Sequence, residues 1–119
     1  MRSGLAGEEL ACHHLQQRGY AILARNFRCR SGELDVVARD GGATVFVEVK
    51  ERRGSRHGDG QEAVTFGKRR RIVRAARIFA ASRGLSESPL RFDVISIGWD
   101  PEGRPLLRHE QGAFDSDGR

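Results

Sequence analysis

A chain of 119 residues with 21 Lys+Arg against 16 Asp+Glu, net +5, has room for one domain and one modest core. No apolar run approaches the roughly 20 residues that span a bilayer, and Met1–Glu9 has no apolar export region, so neither membrane insertion nor secretion is expected. Cys12 and Cys29 lack zinc-like spacing, which leaves reduced thiols in the cytoplasm as the expectation.

In chain order, a helix is expected from about Leu5 to Arg18, stopped by Gly19 at the C′ position. Leu5, Ala11, Cys12 and Leu15 form its apolar stripe, and Glu8 falls in the middle of it. Two readings stay open for Glu8: a carboxylate favoured by the helix dipole, or an acid aimed at a site on the sheet. Tyr20 to Arg28 reads as the first strand, with Asn26 as a bulge candidate.

Residues 32–50 read as a hairpin whose tip is Asp40-Gly41-Gly42-Ala43, because a two-residue turn needs φ > 0. Pairing Asp40 with Ala43 puts Asp35 opposite Glu48 and Glu33 opposite Lys50. The two acids would then lie with Cβ atoms roughly 5 Å apart on one face, with Lys50 sharing it. Val36, Val37, Val45, Phe46, Val47 and Val49 make the surroundings apolar. Facing carboxylates there are costly unless a proton or cation intervenes. A hard divalent ion with oxygen ligands, Mg²⁺ (or Mn²⁺), removes the repulsion. Solvated edge acids with Lys50 as counter-charge are the simpler arrangement, but three charges converging on one apolar hairpin favour a metal site.

After Lys50 periodicity stops. Glu51 to Gln61, with three glycines and Arg52, Arg53 and Arg56, reads as a mobile loop. A second helix is expected from a cap near Thr65 to about Arg83, stopped by Gly84. Ile72, Val73, Ala76, Phe79 and Ala80 form its buried stripe, and Arg70, Arg74 and Arg77 another face. Residues 50–83 hold eleven basic and three acidic residues, net +8, leaving −3 for the rest. Such a concentration is the footprint of a polyanion, though a solvated helix face looks similar. Leu90 to Ile97 is nearly continuous apolar strand, able to lie parallel to the third. Asp100-Pro101-Glu102-Gly103 fits a type I turn, followed by an edge strand from Pro105 to His109. The tail beyond Phe114 reads as polar and frayed.

The order α-β-β-β-α-β-β, with Gly32-Glu33-x-Asp35 and Phe46-Val-Glu-Val-Lys50, looks like the restriction-endonuclease-like superfamily. Adding Gly7-Glu8, Gly19-Tyr20, Arg25-Asn26, Arg52, Lys68 and Arg91-Phe-Asp-Val94, the chain resembles the YraN family of uncharacterised bacterial proteins over about residues 4 to 115. That family is similar to archaeal Holliday-junction resolvases. The resemblance implies an α/β domain with a mixed sheet and a Mg²⁺- or Mn²⁺-dependent endonuclease of branched DNA in recombination or repair. Asp35 and Glu48 match metal-binding acids, the Val49 carbonyl a main-chain ligand, Lys50 the catalytic lysine and Glu8 the helix acid of junction resolvers. Arg52, Arg53, Arg56, Lys68, Arg69, Arg70, Arg71, Arg74 and Arg77 would grip DNA phosphates. Resolving relatives are dimers, and the apolar face of the last hairpin is the contact this chain could offer a second copy. A later Gln-x-x-x-Tyr motif of some relatives is absent, Gln61 being followed by Thr65. The competing reading is a nucleic-acid-binding protein that keeps the fold without cleavage.

Overall fold

The computed structural model describes residues 3–52 and 64–119, with helix side chains described from Ala6 onward. Arg53, Arg56 and most of the segment expected as a loop lie outside the described residues. Seven elements follow in order: α1 (Ser3–Gln17), β1 (Ala21–Cys29), β2 (Gly32–Asp40), β3 (Ala43–Glu51), α2 (Phe66–Ser82), β4 (Leu90–Trp99) and β5 (Pro105–Phe114). The strands form one mixed sheet in sequence order, β3 and β4 parallel and the other neighbours antiparallel. This is the α/β architecture and element order expected from the pattern.

Each helix covers one face. Leu34, Val37, Phe46 and Phe92 meet Ile72, Val73, Ala76 and Phe79 of α2. On the other face Val36, Ala38, Val45, Val47, Ile95 and Ile97 meet Ala11, Cys12 and Leu15 of α1. Thr65 caps α2 by accepting a hydrogen bond from the Lys68 amide, and Gly84 follows with φ +70°, as capping chemistry requires. Gly7 lets α1 close down on the end of β3: a Cβ there would meet the Glu51 carboxylate at 2.9 Å.

The hairpin register runs as expected from Asp40↔Ala43 to Val36↔Val47. There the ladder ends, so the expected Asp35–Glu48 and Glu33–Lys50 pairs lie beyond it. The cause is a local break in alternation. Asn26 of β1 takes φ +54°, a conformation that few residues other than Gly adopt and Asn tolerates. It sits opposite Asp35, between Arg25↔Val36 and Phe27↔Leu34. Leu34 consequently joins the α2-side core while Val36, two residues on, joins the α1-side core. The register shift in β1 itself falls earlier, between Ile22 and Ala24.

Two expectations at the C-terminal end are corrected. β5 continues to Phe114 rather than stopping at His109. Gly112 turns with φ +59°, and its amide donates to the Asp93 carboxylate, which carries the strand through a bulge. Beyond it the tail is docked, not frayed. Arg69 Nε donates to the Gly118 carbonyl at 2.7 Å, and Asp115 accepts from the amides of Asp117 and Arg119. No helix among the described residues is long and apolar enough to cross a membrane.

Candidate functional site

Where β2 leaves β3, the backbone of β3 loses its partner on that side. Asp35 fills the vacancy: its Oδ2 accepts a 2.8 Å hydrogen bond from the Val49 amide. In an antiparallel strand a residue's N–H and C=O point to the same side, so the Val49 carbonyl is directed into the same gap. Glu48, almost completely buried, lines a cleft of about 110 Å³ together with Asp35, Lys68 and Arg71. The two acids are thus brought together, although by a strand departure rather than by ladder pairing.

The electrostatics follow from this crowding. Burial first, and the neighbouring Glu48 charge second, push the Asp35 carboxyl up to about 7 against the lowering effect of the Val49 hydrogen bond. Glu48 has a cation at hand, since Lys68 Nζ stands 2.7 Å from its Oε2. That hydrogen bond is the main reason the Lys68 ammonium is held above its ordinary range.

Lys68 reaches the acids from α2, the opposite side of the cleft from the strands. Sequence reasoning assigned it to phosphates, yet a signal for its position existed: it stands four residues before Ile72, on the helix stripe that packs on the sheet. Lys50 continues β3 two residues past Glu48, half-buried and in register with Ser96 of β4. Arg52 donates its amide to the Ile97 carbonyl, which ties the end of β3 to β4.

Glu8 is held on the α1 side, mostly buried. Its Oε1 accepts from Asn26 Nδ2 at 3.2 Å and faces Arg25 at 3.7 Å. It is near enough to raise the Asp35 carboxyl slightly. Asn26 therefore acts twice, bending β1 opposite Asp35 and holding Glu8. Among the described residues no three His, Cys, Asp or Glu side chains form a cluster able to hold a metal ion. The oxygen donors that do converge, two carboxylates and a main-chain carbonyl directed at the gap, fit a hard divalent cation.

The expected phosphate-binding arginines divide. Arg71 lines the acid cleft. Arg70, Arg74 and Arg77 project on another side of α2. Arg69 is turned inward, donating to the Gly118 and Val64 carbonyls and lying over Phe66 and Phe114.

Fold and site together define a small mixed α/β domain with a pair of neighbouring acids beside a basic helix. The family model of the uncharacterised protein family UPF0102 matches residues 7–97, and the chain belongs to that family, also called YraN. A UPF0102 protein of Symbiobacterium thermophilum is 50% identical over 113 residues, covering 95% of this chain and 96% of its own. One of Nocardia farcinica is 49% identical over 111 residues, 93% of this chain and 87% of its own. A third, of Geobacter sulfurreducens, is 46% identical over 112 residues, 94% of this chain and 88% of its own.

Proposed function

We propose that the protein is a metal-dependent endonuclease that hydrolyses DNA phosphodiester bonds, with branched or otherwise structured DNA in recombination or repair as its substrate. The observation that carries this reading is the Asp35–Glu48 pair, brought together on one cleft where β2 leaves β3, with Glu48 buried and Asp35 half-buried beside it. A pair maintained only for stability gains nothing from such an arrangement; a cation site does.

Asp35, Glu48 and the Val49 carbonyl would hold Mg²⁺ or Mn²⁺, with Glu8 as an outer acid. The ion, when bound, supplies Lewis acidity at the phosphoryl oxygen and an acidified water. Lys50 would orient the attacking water or stabilise developing negative charge. Lys68 and Arg71 meet the phosphate at the cleft, and Arg70, Arg74 and Arg77 hold flanking phosphates, contacts that position without reading sequence. Among the described residues no base-reading element stands beside the cleft, which favours recognition by shape. On this reading the protein works in the cytoplasm, and a symmetric substrate would call for a homodimer.

The competing reading, a binder without cleavage, draws on the same arginines. It gains from the absence of a three-acid cluster among the described residues. One experiment separates the two. Forked, four-way and linear DNA are incubated with Mg²⁺, Mn²⁺ or EDTA, using the unmodified protein, Asp35→Ala and Lys50→Ala. The nuclease reading expects metal-dependent cutting that both substitutions abolish while binding survives. Binding without cutting of any substrate by the unmodified protein overturns it.

A further inference from the structure

On the far side of α2 from the acid cleft lies a groove of about 370 Å³, walled by the helix and by the docked tail. That size falls within the roughly 300–1,000 Å³ of small-ligand sites. Four arginines line it, Arg70, Arg74 and Arg77 from α2 and Arg119 from the tail, against a single acid, Asp117. At one end stands Phe66, 41% exposed and one of three large apolar side chains so exposed among the described residues. The guanidinium groups of Arg119 and Arg70 lie 5.5 and 5.6 Å from its ring centre.

We infer that this groove seats a single-stranded stretch of DNA, with Phe66 as the surface on which an unpaired base stacks. The inference rests on the nuclease reading for its biological sense and narrows its substrates to those carrying a single-stranded arm. The binding itself needs no metal and no cleavage.

Three features support it. The groove is built by specific contacts: Arg69 holds the Gly118 carbonyl at 2.7 Å, and Arg77 donates to the Ser116 carbonyl at 3.4 Å. Gly118 makes the close approach feasible, because it has φ +82° and a Cβ there would meet Arg70 Cγ at 3.0 Å. The charge has the right reach, since Arg70 to Arg77 spans about 10 Å of helix, enough to meet more than one phosphate of a strand. The combination is also selective. An arginine stripe alone serves a duplex equally well, whereas an exposed ring among guanidinium groups serves an unpaired base, every base having a π-face. In a duplex those faces are already stacked on one another.

The test is fluorescence anisotropy of the full chain with a labelled oligo-dT strand and a labelled duplex of equal length, both in EDTA. Phe66→Ala is expected to weaken oligo-dT binding about tenfold, the loss of one base–aromatic stack, and duplex binding less than about twofold. Phe66→Leu keeps apolar bulk against the tail without the π-face and should lose as much. Phe66→Trp should restore binding. Arg74→Gln, on an exposed side chain, should weaken both ligands and flatten their salt dependence. Should Phe66→Ala disturb folding, seen as a lowered melting temperature, the Leu and Trp variants decide. Equal losses for both ligands, or none for oligo-dT in Phe66→Leu, overturn the inference and leave the acid cleft untouched. Phe66-dependent binding by a protein that cuts nothing overturns the nuclease reading alone.

Discussion

Asp93 on β4 has no exposed surface, and its carboxylate is surrounded by donors. Arg91 binds both oxygens at 2.9 and 3.0 Å, His109 Nε2 stands at 2.8 Å and the Gly112 amide donates at 3.0 Å. Asp35 accepts from the Val49 amide and has the like charge of Glu48 beside it. Burial pushes both carboxyls up. For Asp93 the hydrogen bonds from His109, Arg91 and Gly112 together outweigh it and hold the group below its usual range. For Asp35 nothing does, and the group rises to about 7. One chain thus contains a buried acid whose needs are met and another whose needs are left for something else to meet. The first is satisfied within the fold; on the proposed reading a cation would satisfy the second.

The sharpest way to break that comparison is to remove the satisfied acid. Asp93→Ala leaves Arg91 and His109 facing an apolar hole, and removing one partner of a buried ion pair costs about 3–5 kcal/mol. For a domain of this size that lowers the melting temperature by roughly 10–20 °C, measurable by thermal denaturation at pH 7. The folded carboxyl lies below its unfolded value, so its contribution is present above about pH 4 and fades as the pH falls further. A loss equal at pH 7 and pH 3 would contradict the ionic role.

Removing the unsatisfied acid should act in the opposite direction. Because Asp35 titrates near 7 when folded and near 3.8 when unfolded, the native state holds more protons between those values, and stability falls as the pH rises through them. Asp35→Asn keeps an acceptor for the Val49 amide without the charge. It is expected to stabilise the protein by on the order of 1–3 kcal/mol at pH 8 and by little at pH 4. The same substitution should abolish Mn²⁺ binding followed by calorimetry. In the unmodified protein, Mn²⁺ affinity should drop as the pH falls below 7, with a proton released on binding. Equal stability of Asp35→Asn and the unmodified protein at pH 8 would mean that the acid is not strained.

Much of this contrast was legible in the residues. The valine-rich runs and Gly41-Gly42 set the hairpin and brought Asp35 and Glu48 near each other, and the continuous apolar run at 90–97 marked a central strand beside β3. The rest depends on tertiary convergence, which periodicity does not encode. Arg91, Asp93, His109, Tyr20 and Asp40 come from three strands and the residue ahead of β1, and Arg91 links them through bonds to Tyr20 and Asp40. Read singly, each is a polar residue in or beside a strand. Asp35's exit from the alternation depends on a positive φ at Asn26, which an Asn permits without requiring. The docked tail depends on Gly118 meeting a guanidinium from a helix 49 residues away.

The smallest effect lies at the outer end of the Asp93 network. His14 Nε2 and His109 Nδ1 are 3.0 Å apart, joining α1 to β5. Burial, then the charges of His109 and Arg18, hold the His14 imidazole below its ordinary range. The unfolded chain therefore takes up a proton that the folded one resists, and stability rises with pH through the region just below 6.5. This slope is opposite in sign to that of Asp35, and in the unmodified protein the two partly cancel. Measured in the Asp35→Asn background, where the opposing slope is gone, His14→Gln keeps a donor for His109 and should flatten the remaining rise between pH 5.5 and 7. The change should be under about 1 kcal/mol in urea denaturation. The two sites sit on opposite faces of the sheet, so the effects should add. A His14→Gln slope that depends on whether residue 35 is Asp or Asn would show that the faces communicate through the sheet.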